Sequence, residues 1–533
     1  MTSLTGTGRL VRLILRRDRL LLPLWILFVG LIPLSYASSL AAVFPTAVER
    51  QQYGDNAGFV ALYGRLSGTS LGELVAWRAG FLPVIVGLIG LLTVIRHTRT
   101  EEETGRRELL GATVVGRHAG LAAALAATFG ANLVLAAVVA LGMLGKHLPA
   151  TGSVALGAEL AAAGWVFAAV GAVAAQLTTG AGGARGIAVG VLGAAYLLRV
   201  VGDLSGQAGG GLSWLSWLSP IGLVHRIHPY GGDHWWLLAL AAGLTAVLAA
   251  AAVALSARRD VGAGLLPPRP GPATAAPGLR SPLALAWRLH RGLLAGWAAG
   301  FAALGVVLGG LANGIGNMGH DNPTLQDIFA RMGGRAGLID AYLAGIMGVL
   351  GLIAAAYAIQ ATLRLRAEEA EQRAEPVLAT SASRVGWAGS HLLVAAGGAA
   401  VVLAAGGAAA GLAHGLRSGD VAGQLGRVLG AALVQLPAVW VMAAIGATLF
   451  GLAPRLVVGA TWAILAVVLV IAVFGEPLRF DQRVQDLSPF AHLPRLPAAD
   501  FVAAPLVWPL AAATVLAVAG LAAFRRRDLA SGA

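Results

Sequence analysis

Two segments of the chain carry closely spaced carboxylates and guanidinium groups in nearly the same order. Residues 99–117 read RTEEETGRRELLGATVVGR, and residues 366–384 read RAEEAEQRAEPVLATSASR. We call them the first and second cassette. The charged residues that recur between them are Arg99, Glu101, Glu102, Arg106, Glu108 and Arg117 in the first cassette and Arg366, Glu368, Glu369, Arg373, Glu375 and Arg384 in the second.

The chemistry that these residues offer is ion pairing. On a helix, opposite charges four residues apart contact each other, and the sequence predicts such pairs at Arg99–Glu103, Glu102–Arg106, Glu103–Arg107 and Glu369–Arg373. A solvated helix would show the same pairs, but it would not explain their recurrence. We therefore predict two surfaces that dock a partner.

The second cassette departs from the first. Pro376 stands where the first cassette has Leu109, and a proline inside a helix ends or kinks it. We therefore expect the second helix to break at Pro376 and the two docking surfaces to differ.

Residues for other kinds of chemistry are missing from the sequence. There are no cysteines, which excludes thiol catalysis and thiolate metal sites. A phosphate-binding P-loop needs a lysine followed by Ser or Thr, whereas the single lysine, Lys146, is followed by a histidine. His225, His228 and His234 predict a solvated loop rather than a metal site. The chain is therefore predicted to be no enzyme and to hold no metal or cofactor.

One acidic residue, Glu159, falls inside an apolar run, and Arg427 holds a roughly corresponding place in the second half of the chain. Two interpretations stay open. The two side chains form an ion pair between the halves, or each lies near the outer headgroups. Paired carboxylates that would serve a proton relay do not occur in the apolar runs.

The composition sets the class of protein that must position these residues. The chain has 533 residues, 57% of them hydrophobic and only 12% charged, yet its net charge is +13. Disordered chains are polar, and a nucleic-acid partner would explain the charge but not the hydropathy. A polytopic membrane protein explains both, because basic residues concentrate on its cytoplasmic side.

Apolar runs long enough to cross a bilayer predict an all-α fold with twelve spans. They lie near residues 20–42, 80–97, 119–144, 154–177, 186–204, 233–257, 292–317, 341–363, 386–414, 424–452, 456–474 and 504–524. The arginine-rich segments before the first span and after the last one place both termini in the cytoplasm of a cell-membrane protein.

The cassettes are part of a longer internal repeat. Leu218-Ser219-Pro220 recurs as Leu487-Ser488-Pro489, and Arg258-Arg259-Asp260 recurs as Arg526-Arg527-Asp528. The sequence therefore predicts two tandem six-span halves, residues 1–262 and 281–533, joined by a linker at 263–280. Six spans are an even number, so the repeats should be parallel.

Amphipathic and aromatic segments flank the spans. Residues 10–25 and 283–297 alternate apolar and basic faces at helical spacing, which predicts a helix in the inner headgroup layer before each half. Trp214, Trp217, Trp235 and Trp236 predict aromatic anchors at the outer surface.

These features together resemble the permease subunit of a type-2 ATP-binding-cassette exporter. The similarity is to the fused, twelve-span actinobacterial group that exports polyketide antibiotics or acts as multidrug efflux permeases. It rests on GTGRLVRLILRRDRLLLPLW at the start, on TRTEEETGRRELLGA in the first cassette and on ARRDVGAGLLP after the sixth span.

The resemblance implies partners and roles. Residues 10–19 and 283–291 would be elbow helices, and both cassettes would be coupling helices on a separately encoded ATPase, in two copies that bind ATP and magnesium. The other partners would be membrane lipid and a hydrophobic small-molecule substrate, with no nucleic acid. The substrate path would run between the halves, with Phe81, Tyr196, Tyr357 and Trp462 as its walls.

Two other classes stay open from the residues. A secondary, ion-coupled transporter can also consist of two parallel six-span halves, but it needs ionisable residues at mid-membrane. A membrane scaffold that transports nothing needs no such residues at all.

Overall fold

The computed structural model describes residues 3–44, 46–54, 63–207, 209–266, 271, 273–276, 278–317, 334–474 and 480–529. Within these ranges all regular secondary structure is helical, which confirms the all-α prediction. The chain divides into two compact units, Met1–Gly271 and Pro272–Ala533. Part of the predicted linker, residues 267–270, 272 and 277, lies outside the described residues.

The first unit begins with an amphipathic helix and continues with long apolar helices connected by short ones. Its helices are α1 (Thr7–Arg17), α2 (Leu21–Val43), α3 (Ala47–Gly54), α4 (Leu71–Arg78), α5 (Leu82–His97), α6 (Arg99–Glu103), α7 (Arg106–Gly111), α8 (Ala119–Leu144), α9 (Ala150–Leu177), α10 (Ala181–Gln207), α11 (Leu215–Leu218), α12 (Pro220–His225) and α13 (Trp236–Ser256).

The second unit repeats this alternation of long apolar helices and short connecting ones. Its helices are α14 (Pro282–Asn317), α15 (Gly334–Thr362), α16 (Arg364–Ala370), α17 (Ala374–Leu378), α18 (Arg384–Ser418), α19 (Val421–Leu433), α20 (Leu436–Leu452), α21 (Val457–Phe474), α22 (Gln482–Gln485) and α23 (Ala504–Arg526), with a 3-10 turn at Pro489–His492.

Eleven helices among the described residues are long and apolar enough to cross a membrane. They match the predicted spans, with α19 and α20 forming one continuous span. The predicted span at 456–474 corresponds to α21, whose apolar stretch Val457–Ala472 is shorter than these eleven spans. The chain is thus a polytopic, all-α membrane protein.

Small residues bring the long helices into close contact. In the first unit, a Cβ atom on Gly90 of α5 would lie 2.7 Å from the Gly164 carbonyl oxygen of α9. In the second unit, a Cβ atom on Gly309 of α14 would lie 2.2 Å from the Ala410 carbonyl oxygen of α18. Such contacts exclude any larger side chain, and they are typical of helices that pack by van der Waals contact inside a membrane.

The two predicted elbow helices differ. In the first unit, α1 is a separate helix that ends at Arg17, before α2 begins at Leu21. In the second unit, the predicted elbow at 283–291 continues without a break into the span, as the 36-residue helix α14. The helix expected at 283–291 is therefore present, but as the first part of α14 and not as a helix of its own.

Candidate functional site

The first cassette folds as two short helices, α6 and α7, because the backbone turns between them. Gly105 has a φ of 72°, in the left-handed region that glycine adopts without steric cost. The structure therefore lacks the continuous helix that the predicted Glu102–Arg106 and Glu103–Arg107 pairs require. The turn separates α6 from α7, and Arg107 of α7 lies 3.6 Å from the Glu102 carboxylate.

Glu102 is a buried residue of the first cassette, and only 3% of its side chain is exposed. Arg259, which follows α13, donates from Nη1 to Oε2 at 2.8 Å and from Nη2 to Oε1 at 3.0 Å. Arg99 adds a bond of 2.5 Å from the preceding turn. A buried carboxylate needs such partners, so Glu102 fastens the cassette to the end of α13 and presents no free charge to a partner.

Arg99, besides its bond with Glu102, and Arg117 also hold backbone carbonyl groups. Arg99 is completely buried and donates to the carbonyl oxygens of Thr179, Gly262 and Ala263 at 2.9 to 3.0 Å. Arg117 donates to three carbonyl groups at and just after the end of α13, at 2.9 to 3.2 Å. Both ends of the cassette are thus attached to the segment that follows α13.

The second cassette has the same attachment in its own unit. Arg527, after α23, donates to both oxygens of Glu369 at 2.6 and 2.7 Å, and the Glu369 side chain is 2% exposed. Arg384 donates to the Arg527 carbonyl oxygen at 2.6 Å, as Arg117 does after α13. Gln372, with a φ of 57°, turns the backbone where the first cassette has Gly105.

Pro376 does not break the second cassette. It lies in the first turn of α17, where a proline is tolerated because the first amides of a helix have no intrahelical acceptor. The break comes earlier, around Gln372, and the prediction that Pro376 ends the helix is wrong. Glu368 is held by Arg364 at 2.7 Å and by Arg373 at 2.9 Å.

The remaining cassette residues lie at the surface or near it. Glu101 accepts a bond of 2.5 Å from Arg17 of α1, and Arg366 lies 3.8 Å from Glu369. An exposed rim remains in each cassette. The rim consists of Arg106, Glu108 and Leu109 in the first cassette and of Glu375 and Pro376 in the second.

Sequence reasoning missed Arg259 and Arg527 as the partners of the cassette glutamates. The signal was present, since the Arg-Arg-Asp motif recurs at nearly the same offset as the cassettes. The pairs themselves join residues 157 and 158 positions apart, and no local spacing rule predicts such a contact.

The predicted wall residues fall into different surroundings. Phe81 and Tyr196 contact each other edge to face, with ring centroids 5.8 Å apart. Tyr357 is completely buried in the second unit and packs against Trp297 at 6.0 Å. Trp462 is 41% exposed on α21. Only Phe81 and Tyr196 form a pair, and Tyr357 is covered by its own unit.

Glu159 lines a polar cavity of about 260 Å³ in the first unit. The residue is 4% exposed, and its carboxylate makes no hydrogen bond with a described residue. Trp77, Asp203, His225 and Arg226 also line the cavity. Arg427 of the second unit bonds with Asp340 at 2.8 Å, so its carboxylate partner is a residue of its own unit.

Of the three histidines of the predicted solvated loop, His225 and His228 are partly buried and His234 is exposed. Burial and the Arg199 guanidinium hold the pKa of His225 well below its usual 6.5, and its Nε2 atom is buried without a partner. His228 and His234 contact each other edge to face at 5.8 Å. Among the described residues, no group of three or more potential metal ligands comes together.

The chain is similar to known proteins over nearly its whole length. Residues 279–525 match a family described as the C-terminal domain of the multidrug efflux system permease Rv1217c. The chain is 46% identical to the multidrug efflux system permease protein Rv1217c of Mycobacterium tuberculosis over 537 aligned positions, which cover 99% of this chain and 96% of the relative. The chain therefore belongs to the family of the multidrug efflux system permease Rv1217c.

Proposed function

We propose that this chain is the membrane-spanning permease subunit of an exporter for hydrophobic small molecules, driven by a separate ATPase that docks on the two cassettes. The name of the mycobacterial relative supports the export of drugs. The division of each cassette into a buried face and an exposed rim supports docking. On this proposal both termini lie in the cytoplasm, and two ATPase copies serve one chain.

The attachment of the cassettes to long helices supports the proposed coupling between the ATPase and the spans. The Arg259–Glu102 and Arg527–Glu369 pairs join each cassette to the last long helix of its unit. A push on an exposed rim is then transmitted to that helix rather than absorbed by a flexible loop. ATP-driven closure of the ATPase dimer would switch the packed helices between two discrete arrangements, with the substrate path open inward in one and outward in the other.

Charge reversal on the exposed rim tests the docking. We expect Arg106→Glu with Glu108→Arg, combined with Glu375→Arg, to abolish co-purification with the ATPase and to abolish drug-stimulated ATP hydrolysis. Arg258→Glu, an exposed reversal after α13, is the control and should change neither. If the triple variant retains both activities, the cassettes are not the docking surface.

A second candidate function follows from Glu159. An unpaired carboxylate inside a span is typical of ion-coupled transporters, so a secondary multidrug transporter remains an alternative. The two classes differ in their energy source. In proteoliposomes that contain the permease and its ATPase, the first proposal expects drug uptake to need ATP and to survive Glu159→Gln. Uptake by the permease alone, driven by a proton gradient and lost in Glu159→Gln, would establish the alternative.

A further inference from the structure

A second cavity, of about 410 Å³, lies between α1 and the distal part of the first cassette. One wall is formed by α1, and the opposite wall consists of Leu110, Thr113, Val114 and Val115. A backbone hydrogen bond joins the two segments next to the cavity, because Gly116 N–H donates to the Thr5 carbonyl oxygen at 2.8 Å. The cavity is therefore built from two distant segments of the sequence.

The charge of this cavity has one sign. Arg9, Arg12 and Arg16 line it, and no acidic residue does. Their spacing of three and four residues places them on one face of α1. All three are exposed, and none makes a hydrogen bond or ion pair with a described residue. Arg17, by contrast, is held by Glu101.

The remaining lining is apolar. Leu10, Leu13 and Leu110 line the cavity together with the two valines. Leu13 is 50% exposed, and Leu20 and Leu24, at the start of the first span, are 79% and 71% exposed. Exposed leucines thus continue from the cavity onto a helix that faces lipid. This continuity favours a ligand with both a phosphate and acyl chains, since a small anion would gain nothing from the leucines.

We propose that this cavity binds the headgroup of an anionic phospholipid, with the three arginines on its phosphate and the leucines against its acyl chains. A basic, amphipathic helix at the membrane surface attracts anionic lipid. The bound lipid would contact α1 and the first cassette together, so that it would hold the cassette close to the membrane. The site shares the first cassette with the proposed ATPase surface, but its three arginines belong to α1 and not to the exposed rim.

Native mass spectrometry of the full chain, purified without any partner, tests the site. Dioleoyl phosphatidylglycerol should remain bound under conditions that remove dioleoyl phosphatidylcholine. Arg9→Gln with Arg12→Gln and Arg16→Gln should weaken phosphatidylglycerol binding by about 100-fold, because each basic residue near an anionic lipid surface contributes a similar share of the binding free energy. The matching Arg→Lys triple variant should retain most of the binding.

A matched control removes three charges elsewhere. Arg258→Gln with Arg525→Gln and Arg526→Gln takes exposed arginines from the ends of α13 and α23 and should leave phosphatidylglycerol binding unchanged. We call the triple Arg→Gln variant at Arg9, Arg12 and Arg16 the α1 variant. Equal binding of phosphatidylglycerol to the α1 variant and to wild type would overturn the proposal. Displacement of the lipid by an equal concentration of inorganic phosphate would identify a free-anion site instead. If the α1 variant kept its lipid but lost the co-purifying ATPase, the surface would be a protein-docking site.

Discussion

Arg527 holds Glu369 through two parallel hydrogen bonds of 2.6 and 2.7 Å. Parallel bonds between a guanidinium and a carboxylate fix both distance and orientation. The Arg259–Glu102 pair of the first unit has the same form. Each cassette is thus a rigid extension of the helix before its arginine.

Removing the charge of Glu369 should destabilise the second unit. In Glu369→Gln the Arg527 guanidinium keeps only part of its pairing, and breaking a buried pair costs about 3–5 kcal/mol. We expect a clearly lower melting temperature of the detergent-solubilised protein. Glu371→Gln, whose side chain is 55% exposed in the wild type, is the control and should change stability by less than about 1 kcal/mol. Equal melting temperatures for the two variants would show that the Arg527–Glu369 pair does not stabilise the second unit.

The turn inside the first cassette should depend on glycine. Gly105 has a φ of 72°, and a side chain in that conformation costs about 1–2 kcal/mol. Gly105→Ala should therefore lower the melting temperature, although a Cβ atom there has open space around it. Gly111→Ala, another glycine with open space in the same cassette, should have no such effect. An unchanged melting temperature in Gly105→Ala would mean that the cassette can form a continuous helix.

Gly152 of α9 should tolerate no side chain. A Cβ atom there would lie 2.1 Å from the Tyr230 ring, and Tyr230 contacts the Ser153 hydroxyl at 3.0 Å. Overpacking of this kind costs about 1–3 kcal/mol, so Gly152→Ala should lower the melting temperature. Gly130→Ala in α8, where nothing lies within 4 Å, should leave it unchanged or raise it. If Gly152→Ala were as stable as wild type, the Tyr230 ring would not lie against Gly152.

The stability of the protein should fall as the pH is lowered from 7 to 5. His225 has a pKa well below 6.5 in the folded state because burial disfavours its charged form, whereas its unfolded pKa is about 6.5. The unfolded state therefore binds the extra proton, and stability present above pH 6.5 is lost as the pH falls below it. His225→Gln should reduce this slope in thermal melts at each pH. If His225→Gln had the same slope as the wild type, His225 would not be the source of this loss of stability at low pH.

The predicted spans follow the helices of the structure closely because each depends on a local property, a run of apolar residues long enough for a bilayer. The cassette contacts were predicted less well. Spacing alone suggested pairs between neighbours such as Glu102 and Arg106, and it assumed one continuous helix. The left-handed turn at Gly105 breaks that helix, and a single glycine carries too weak a signal to predict it.

The sequence by itself determined the class of protein, the positions of the spans and the existence of a duplicated charged cassette. Composition, apolar length and internal repetition are properties of the chain alone. Only the tertiary structure decided that Glu102 and Glu369 face inward to Arg259 and Arg527, and that Glu159 lines a cavity. The reason is physical: the free energy of a buried carboxylate depends on which cation the fold brings to it, and that cation can come from any distance along the chain.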